Sequence, residues 1–171
     1  MKKATKITAM AAIILSGFSV SSYAQATATA SSSATIVTPI AISKTVDMNF
    51  GNVAVSASTA GTVVLAPAGT RTATGGVTLP VTSGTVAAAS FNVTGEGVYT
   101  YSITLPSSSL TIASGSNSMT VNTFTSSPSA TGTLTAGSQT LTVGATLNVG
   151  AAQPSGTYTS ASPFSVTVNY N

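Results

Sequence analysis

Phe164-Ser165-Val166-Thr167-Val168-Asn169-Tyr170 runs to within one residue of the last position, Asn171. Large apolar side chains alternate strictly with small polar ones, the period-2 pattern of a strand with one face buried and one wet. No Lys, Glu or Pro interrupts it. A strand this regular needs partners along both edges, and what supplies them decides both the fold and the function of the chain.

The same pattern recurs upstream. Ile36, Ile40 and Ile42 surround Pro39, which confines that stretch to an edge strand or a bend. Val46, Met48 and Phe50 alternate, Gly51-Asn52 offers a turn or bulge, and Val53 and Val55 resume. Thr62–Leu65 is a short strand. Thr70–Gly76 reads as a loop or strand end, and Val77, Leu79 and Val81 alternate around an edge Pro80. Ser90–Leu105 reads as a hairpin, with Phe91 and Val93 entering Gly95-Glu96-Gly97 and Tyr99, Tyr101, Ile103 and Leu105 leaving it. Leu110–Ile112, Met119–Val121 and Thr133–Thr135 are further short strands. Gln139–Val143 and Ala145–Val149 are two more, interrupted by Gly144, and Gln153–Gly156 is a turn. No sustained 3.6-residue spacing occurs after the leader, and Thr, Val and Ser dominate where helix formers would stand. Many short strands with frequent Gly, Pro and Ser turns predict an all-β sandwich.

The first 24 residues read as a secretory signal. Lys2, Lys3 and Lys6 form a basic region, Met10–Leu15 an apolar run, and Ser22-Tyr23-Ala24 a small-residue cleavage site. The apolar run falls short of the roughly 20 residues of a membrane span, and no later segment approaches that length, so no transmembrane helix is expected. Residues 25–33 are a low-complexity Ala/Ser/Thr arm, a spacer able to become a strand on a template, and residues 34–171 form the folded domain.

Beyond the leader the charges are Lys44 and Arg71 against Asp47 and Glu96, which sum to zero, and Gly97–Asn171 carries none. A basic footprint for nucleic acid is absent. Sheet proteins ordinarily place charges on exposed edges to block stray pairing. The lack of such protection fits either a hydroxyl-coated monomer or edges that copies of the same chain cover. Histidine and cysteine are both missing, which removes the commonest general base, the thiolate nucleophile and the usual zinc and copper ligands. Lys44 has no serine–lysine motif around it. Asp47 and Glu96 are too isolated for an acid–base or calcium pair. Neither an enzyme nor a cofactor or metal site is expected. Asn92-Val93-Thr94 fits the glycosylation pattern but lies inside a predicted strand. Tyr99 and Tyr101, two apart, share one face and read either as core rings or as an exposed sugar platform.

Two stretches carry a resemblance. Asp47-Met48-Asn49-Phe50-Gly51-Asn52-Val53 resembles the Asp-Phe-Gly segment near the start of many bacterial pilus subunits. Gly156-Thr157-Tyr158 followed by Phe164–Tyr170 is similar to their last strand, with its penultimate tyrosine. The layout also resembles a pilin-like bacterial secreted family described only as a domain of unknown function. The resemblance implies an incomplete immunoglobulin-like Greek-key sandwich, exported to the periplasm and assembled at the cell surface through a periplasmic chaperone and an outer-membrane usher into a fimbria of its own copies. Each subunit accepts a strand from the next. Phe164, Val166, Val168 and Tyr170 would then line the groove and pair with the incoming strand, and the arm before Ile36 would donate it. The pilin disulfide is missing, and the arm offers alanine where donor strands carry larger plugs. A buried large apolar side chain contributes roughly 1.5–3 kcal/mol, so Ile36, Ile40 and Ile42 would carry the donation. The competing expectation is a self-sufficient secreted sandwich that binds a glycan or protein. An outer-membrane barrel would need longer strands and more aromatics.

Overall fold

A computed structural model describes residues 24–171. The expected leader, apart from Ala24, lies outside the described residues. Residues 24–35 carry no helix or strand. From Ile36 onward the described chain is all-β, with thirteen strands and no helix. None of it is a helix long and apolar enough to cross a membrane.

The organising element is β11 (Ser138–Val149), in which Leu141, Val143, Ala145, Leu147 and Val149 all turn inward and are buried. The sequence pattern separates two strands at Gly144, but the structure has one. Its first half pairs with β6 (Ala89–Thr94) and its second half, along the same edge, with β3 (Gly61–Leu65). Both halves pair on the other edge with β9 (Asn117–Ser127). Gly144 sits where the end of β3 crosses, and a Cβ there would overlap the Leu65 carbonyl oxygen. The β9 register slips at this point, setting Thr123 and Phe124 against Ala145 alone, a bulge that bends the sheet. A glycine in a strand marking close backbone approach is its ordinary use.

The main sheet is completed by β1 (Ala41–Val46) beside β6, by β4 (Arg71–Gly75) beside β3, and by β8 (Leu110–Ser114) and β12 (Thr159–Ser160) beyond β9. Thr70–Gly76, which reads as a loop or strand end, contains the full strand β4, whose Thr side chains point outward where it pairs with the Val-rich β3. A second sheet joins β10 (Thr131–Thr133), β7 (Thr100–Thr104) and β13 (Thr167–Tyr170). A short third sheet pairs β2 (Ala54–Val55) with β5 (Val77–Thr78). Val81, expected in an alternating strand, is fully exposed.

Two hydrophobic cores result. In the first, Ala89 and Val93 of β6 and Leu141 and Val143 of β11 meet Tyr101 of β7 and Val168 of β13. The β10–β7–β13 sheet is thus laid over one half of the main sheet, a sandwich-like arrangement. This placement corrects the hairpin reading of Ser90–Leu105. β6 and β7 do not pair with each other but sit in opposite layers, joined by an arch over Gly95–Tyr99. Val93 and Tyr101 both have to reach the same interior, and facing layers let them do so. In the second core Val63, Val77, Val121, Leu147 and Val149 gather on the other half of the main sheet. Their cover is thin: the two-residue β2–β5 ladder and the irregular chain around Met48, Phe50, Val53 and Leu79.

Candidate docking groove and the clasp beside it

The thin cover leaves a groove of about 830 Å³ over the second core. Its floor is Leu110 and Ile112 of β8, Met119 and Val121 of β9, and Leu147 and Val149 of β11. One wall is Asp47–Val55, the other is Gln153–Ser160, and Phe164 closes one end. Val121, Leu147 and Val149 are buried, whereas Leu110, Ile112 and Met119 remain half-open, apolar groups without a full complement of neighbours. Asp47 is the only Asp, Glu, Lys or Arg on the lining, and it is drawn toward Lys44 in an exposed ion pair of 2.6 Å. What remains is neutral, apolar below and hydroxyl- and amide-rich above.

The walls are built by local chemistry. Asn49 exchanges both backbone groups with Ala87, and its side chain accepts a hydrogen bond from the Gly51 N–H at 2.8 Å. Gly51 takes a left-handed φ of 68°, and a side chain there would strike Ser83 and Val86. That turn aims Met48, Phe50 and Val53 at the second core. On the opposite wall the Tyr158 hydroxyl donates to the Pro154 carbonyl at 2.7 Å and accepts from the Gln153 side-chain amide at 2.9 Å, which closes the Gln153–Gly156 turn expected from sequence.

Phe164–Tyr170 keeps the expected alternation: Phe164, Val166 and Tyr170 are half-buried, Val168 is buried, and the residues between are exposed. Only Thr167–Tyr170 is a paired strand, antiparallel to β7. The backbone of Ala161–Val166 forms no hydrogen bond among the described residues. β13 is the edge of its sheet. Phe164 reaches the groove and stacks against Phe124 (5.0 Å between centroids) and Phe91 (6.4 Å), tying the two cores together. Val166, Val168 and Tyr170 instead pack on the first core of their own chain.

The isoleucines divide in the same way. Ile40 and Ile42 pack on the first core, with Ile42 opposite Val93 in the β1–β6 ladder, whereas Ile36 is 96 % exposed. Between them a clasp pins the chain. The Thr38 N–H donates to Glu96 Oε2 (3.0 Å), the Glu96 N–H donates to the Tyr170 hydroxyl (2.6 Å), and that hydroxyl donates to the Thr38 carbonyl (2.8 Å). The Thr38 N–H holds the Glu96 carboxyl below its ordinary pKa. Gly95 is required here, since a Cβ would overlap the Tyr170 hydroxyl. Tyr99 and Tyr101 separate: Tyr101 is fully buried, its hydroxyl donating to the Gln139 side chain at 2.7 Å and pushed up in pKa by burial, while Tyr99 is 46 % exposed against Tyr170.

Of the seven residues expected to bind a partner, Phe164 alone lines the groove and Tyr170 joins the clasp, whereas the Asp47–Val53 and Gly156–Tyr158 stretches that carry the resemblance form parts of the groove's two walls. Met48, Phe50, Leu110, Ile112 and Met119 were not singled out as site residues. Their signal was present as short apolar alternations, but nothing in a strand pattern tells whether a covering strand exists.

No curated protein and no solved structure matches the chain. A family model does, over residues 40–170, a span that takes in every strand from β1 to β13 and leaves the arm outside. The chain belongs to the family described as Domain of unknown function (DUF4402).

Proposed function

We propose that the chain is an exported structural subunit of a cell-surface filament, an incomplete immunoglobulin-like Greek-key sandwich of the pilin kind that assembles by strand addition. The observation that carries this reading is the groove: an apolar-floored opening over a half-covered core, beside a segment, Ala161–Val166, whose backbone has no hydrogen-bond partner among the described residues. Strand addition supplies both missing terms, side chains for the floor and partners for the edge. The occupant is the arm of a second copy, ending at Ile36. Ile40 and Ile42 are committed to their own core, so Ile36 is the one large plug left free, in period-2 register with Ala26, Ala28, Ala30 and Ala34. Residues 25–37 carry no charge, matching the neutral lining. Burying Ile36 contributes about 1.5–3 kcal/mol and each alanine methyl about 0.8, roughly 5 kcal/mol before ordering costs.

Geometry favours an exchange between copies. The clasp fixes the arm's exit beside Tyr170, whereas the groove lining reaches Phe164, six residues away and at most about 20 Å along the chain. An exit and an acceptor at different places on one molecule give a head-to-tail contact that does not close. On this reading the protein is structural and not an enzyme, and it passes through the periplasm with a chaperone strand in the groove before an outer-membrane usher hands it to the next copy. The test is electron microscopy of producing cells. Fibres are expected with the wild-type chain and not with residues 25–35 deleted, while unchanged fibres after that deletion would refute the assignment of the donor. A glycan- or protein-binding module is the second reading, favoured by exposed Tyr99 alone, since Tyr101 is sealed in the core.

A further inference from the structure

We propose that Arg71 is a positioning residue for strand binding: from the far side of the groove wall it fixes the Asn49–Val53 turn and thereby sets the width of the groove. The proposal rests on the strand-addition reading. Arg71 opens β4, on the main sheet, and its guanidinium is half-buried among carbonyls. Nη1 donates to the Phe50 carbonyl and to that of Asn52 (2.7 Å), and Nη2 reaches the Ser83 carbonyl at 3.4 Å. No carboxylate pairs with it among the described residues, where the one ion pair is Lys44–Asp47. Its charge is therefore spent on the backbone of two loops.

Those loops need an anchor. Residues 48–53 and 81–88 contain no strand, and they hold mainly each other: Asn49 with Ala87, the Asn52 N–H with the Ser83 carbonyl, the Asn52 side chain with the Thr82 carbonyl. Arg71 ties both to the first residue of a regular strand. The Phe50 carbonyl points at Arg71 while the Phe50 side chain lines the groove, so movement of one carries the other. A planar fork can serve several carbonyls in fixed directions, which a lysine ammonium cannot reproduce. Gly51 completes the arrangement, since a Cβ there would press on Arg71 Nη1 at 3.0 Å. The Asp47–Val53 stretch and the distant Thr70-Arg71-Thr72 are in this way one device.

The test uses the full chain carrying Ile36→Asp, so that no competing arm is offered, and a fluorescein-labelled peptide of residues 25–38 read by anisotropy. Arg71→Gln is expected to weaken peptide binding by at least about tenfold, the equivalent of one lost charge-assisted hydrogen bond. Arg71→Lys, which keeps the charge and most of the packing, falls between. Hydrogen exchange should quicken at Phe50–Val53 in both variants and stay unchanged at Thr38 and Glu96, in the remote clasp. Binding within about twofold of the parent overturns the proposal. So does a loss of binding accompanied by equal acceleration at the clasp, which would mark general destabilisation. A parent chain that binds no peptide refutes the strand-addition reading instead, and exchange then judges Arg71 alone, with unchanged rates at Phe50–Val53 counting against it.

Discussion

Replacing Tyr170 with Phe isolates the clasp. The ring stays, with its contact to Tyr99 at 5.6 Å and its place on the first core, and only the hydroxyl is lost. That hydroxyl accepts from Glu96 and donates to Thr38, segments 74 and 132 residues away. Each hydrogen bond is worth about 0.5–1.5 kcal/mol net, and both partners lie near enough to solvent to recover water, so the lower half of the combined range applies, about 1–2 kcal/mol. For a domain of this size that is a fall in Tm of about 3–6 °C. Thermal unfolding followed by circular dichroism measures it. Hydrogen exchange adds the spatial prediction that the Thr38 and Glu96 amides quicken together, because one hydroxyl orders both. A Tm within about 1 °C of wild type, or a Glu96 amide that quickens while Thr38 does not, would refute the clasp as a cooperative unit.

Gly144→Ala drives a methyl into the Leu65 carbonyl at the crossing of β3 and β11. It should cost about 3 kcal/mol, at the top of the usual overpacking range, read by urea denaturation. A cost below about 1 kcal/mol would show that the bulge can shift. The Glu96 carboxylate accepts from Thr38 and its pKa is lowered in the folded chain, so its contribution is present above the ordinary glutamate pKa and is lost as pH falls through the lowered value. A plot of Tm against pH should therefore drop more steeply in acid for wild type than for Glu96→Gln, and parallel curves would contradict the assignment. Ile36→Asp should abolish assembly in sedimentation while leaving Tm unchanged, since the side chain is exposed in its own chain.

How much of this was legible in the sequence depended on whether a pattern is local. The alternations in β11 and Phe164–Tyr170 fall on residues that turn inward because a strand's inward face is written every second residue, whereas in β6 Val93 is buried as expected but Ala89, not Phe91, is the other fully buried residue. Partners are not written there. Gly95-Glu96-Gly97 between two alternating runs is a hairpin signal, yet β6 and β7 separate into opposing layers because Val93 and Tyr101 share one core. Gly144 looked like a break because glycine weakens a strand, but at this position it admits the end of β3. The groove was the least legible feature, since it consists of cover that is missing over Leu110, Ile112 and Met119. The clasp joins positions 38, 96 and 170, a juxtaposition that only the fold creates.

Acceptance of a second copy's arm by the groove is tested directly by crosslinking. The chain holds no cysteine, so every disulfide in a variant is an engineered one. Ile36→Cys is combined in turn with Leu110→Cys, Ile112→Cys and Met119→Cys, and the protein is run on non-reducing gels after oxidation. Because a disulfide forms only when the two Cα atoms come within about 7 Å, the three floor positions sample the register. A ladder of covalent multimers is expected for at least one pair, collapsing to monomer on reduction and absent from each single variant. Monomers alone, or bands that stop at the dimer, would contradict an open chain of arm-in-groove contacts.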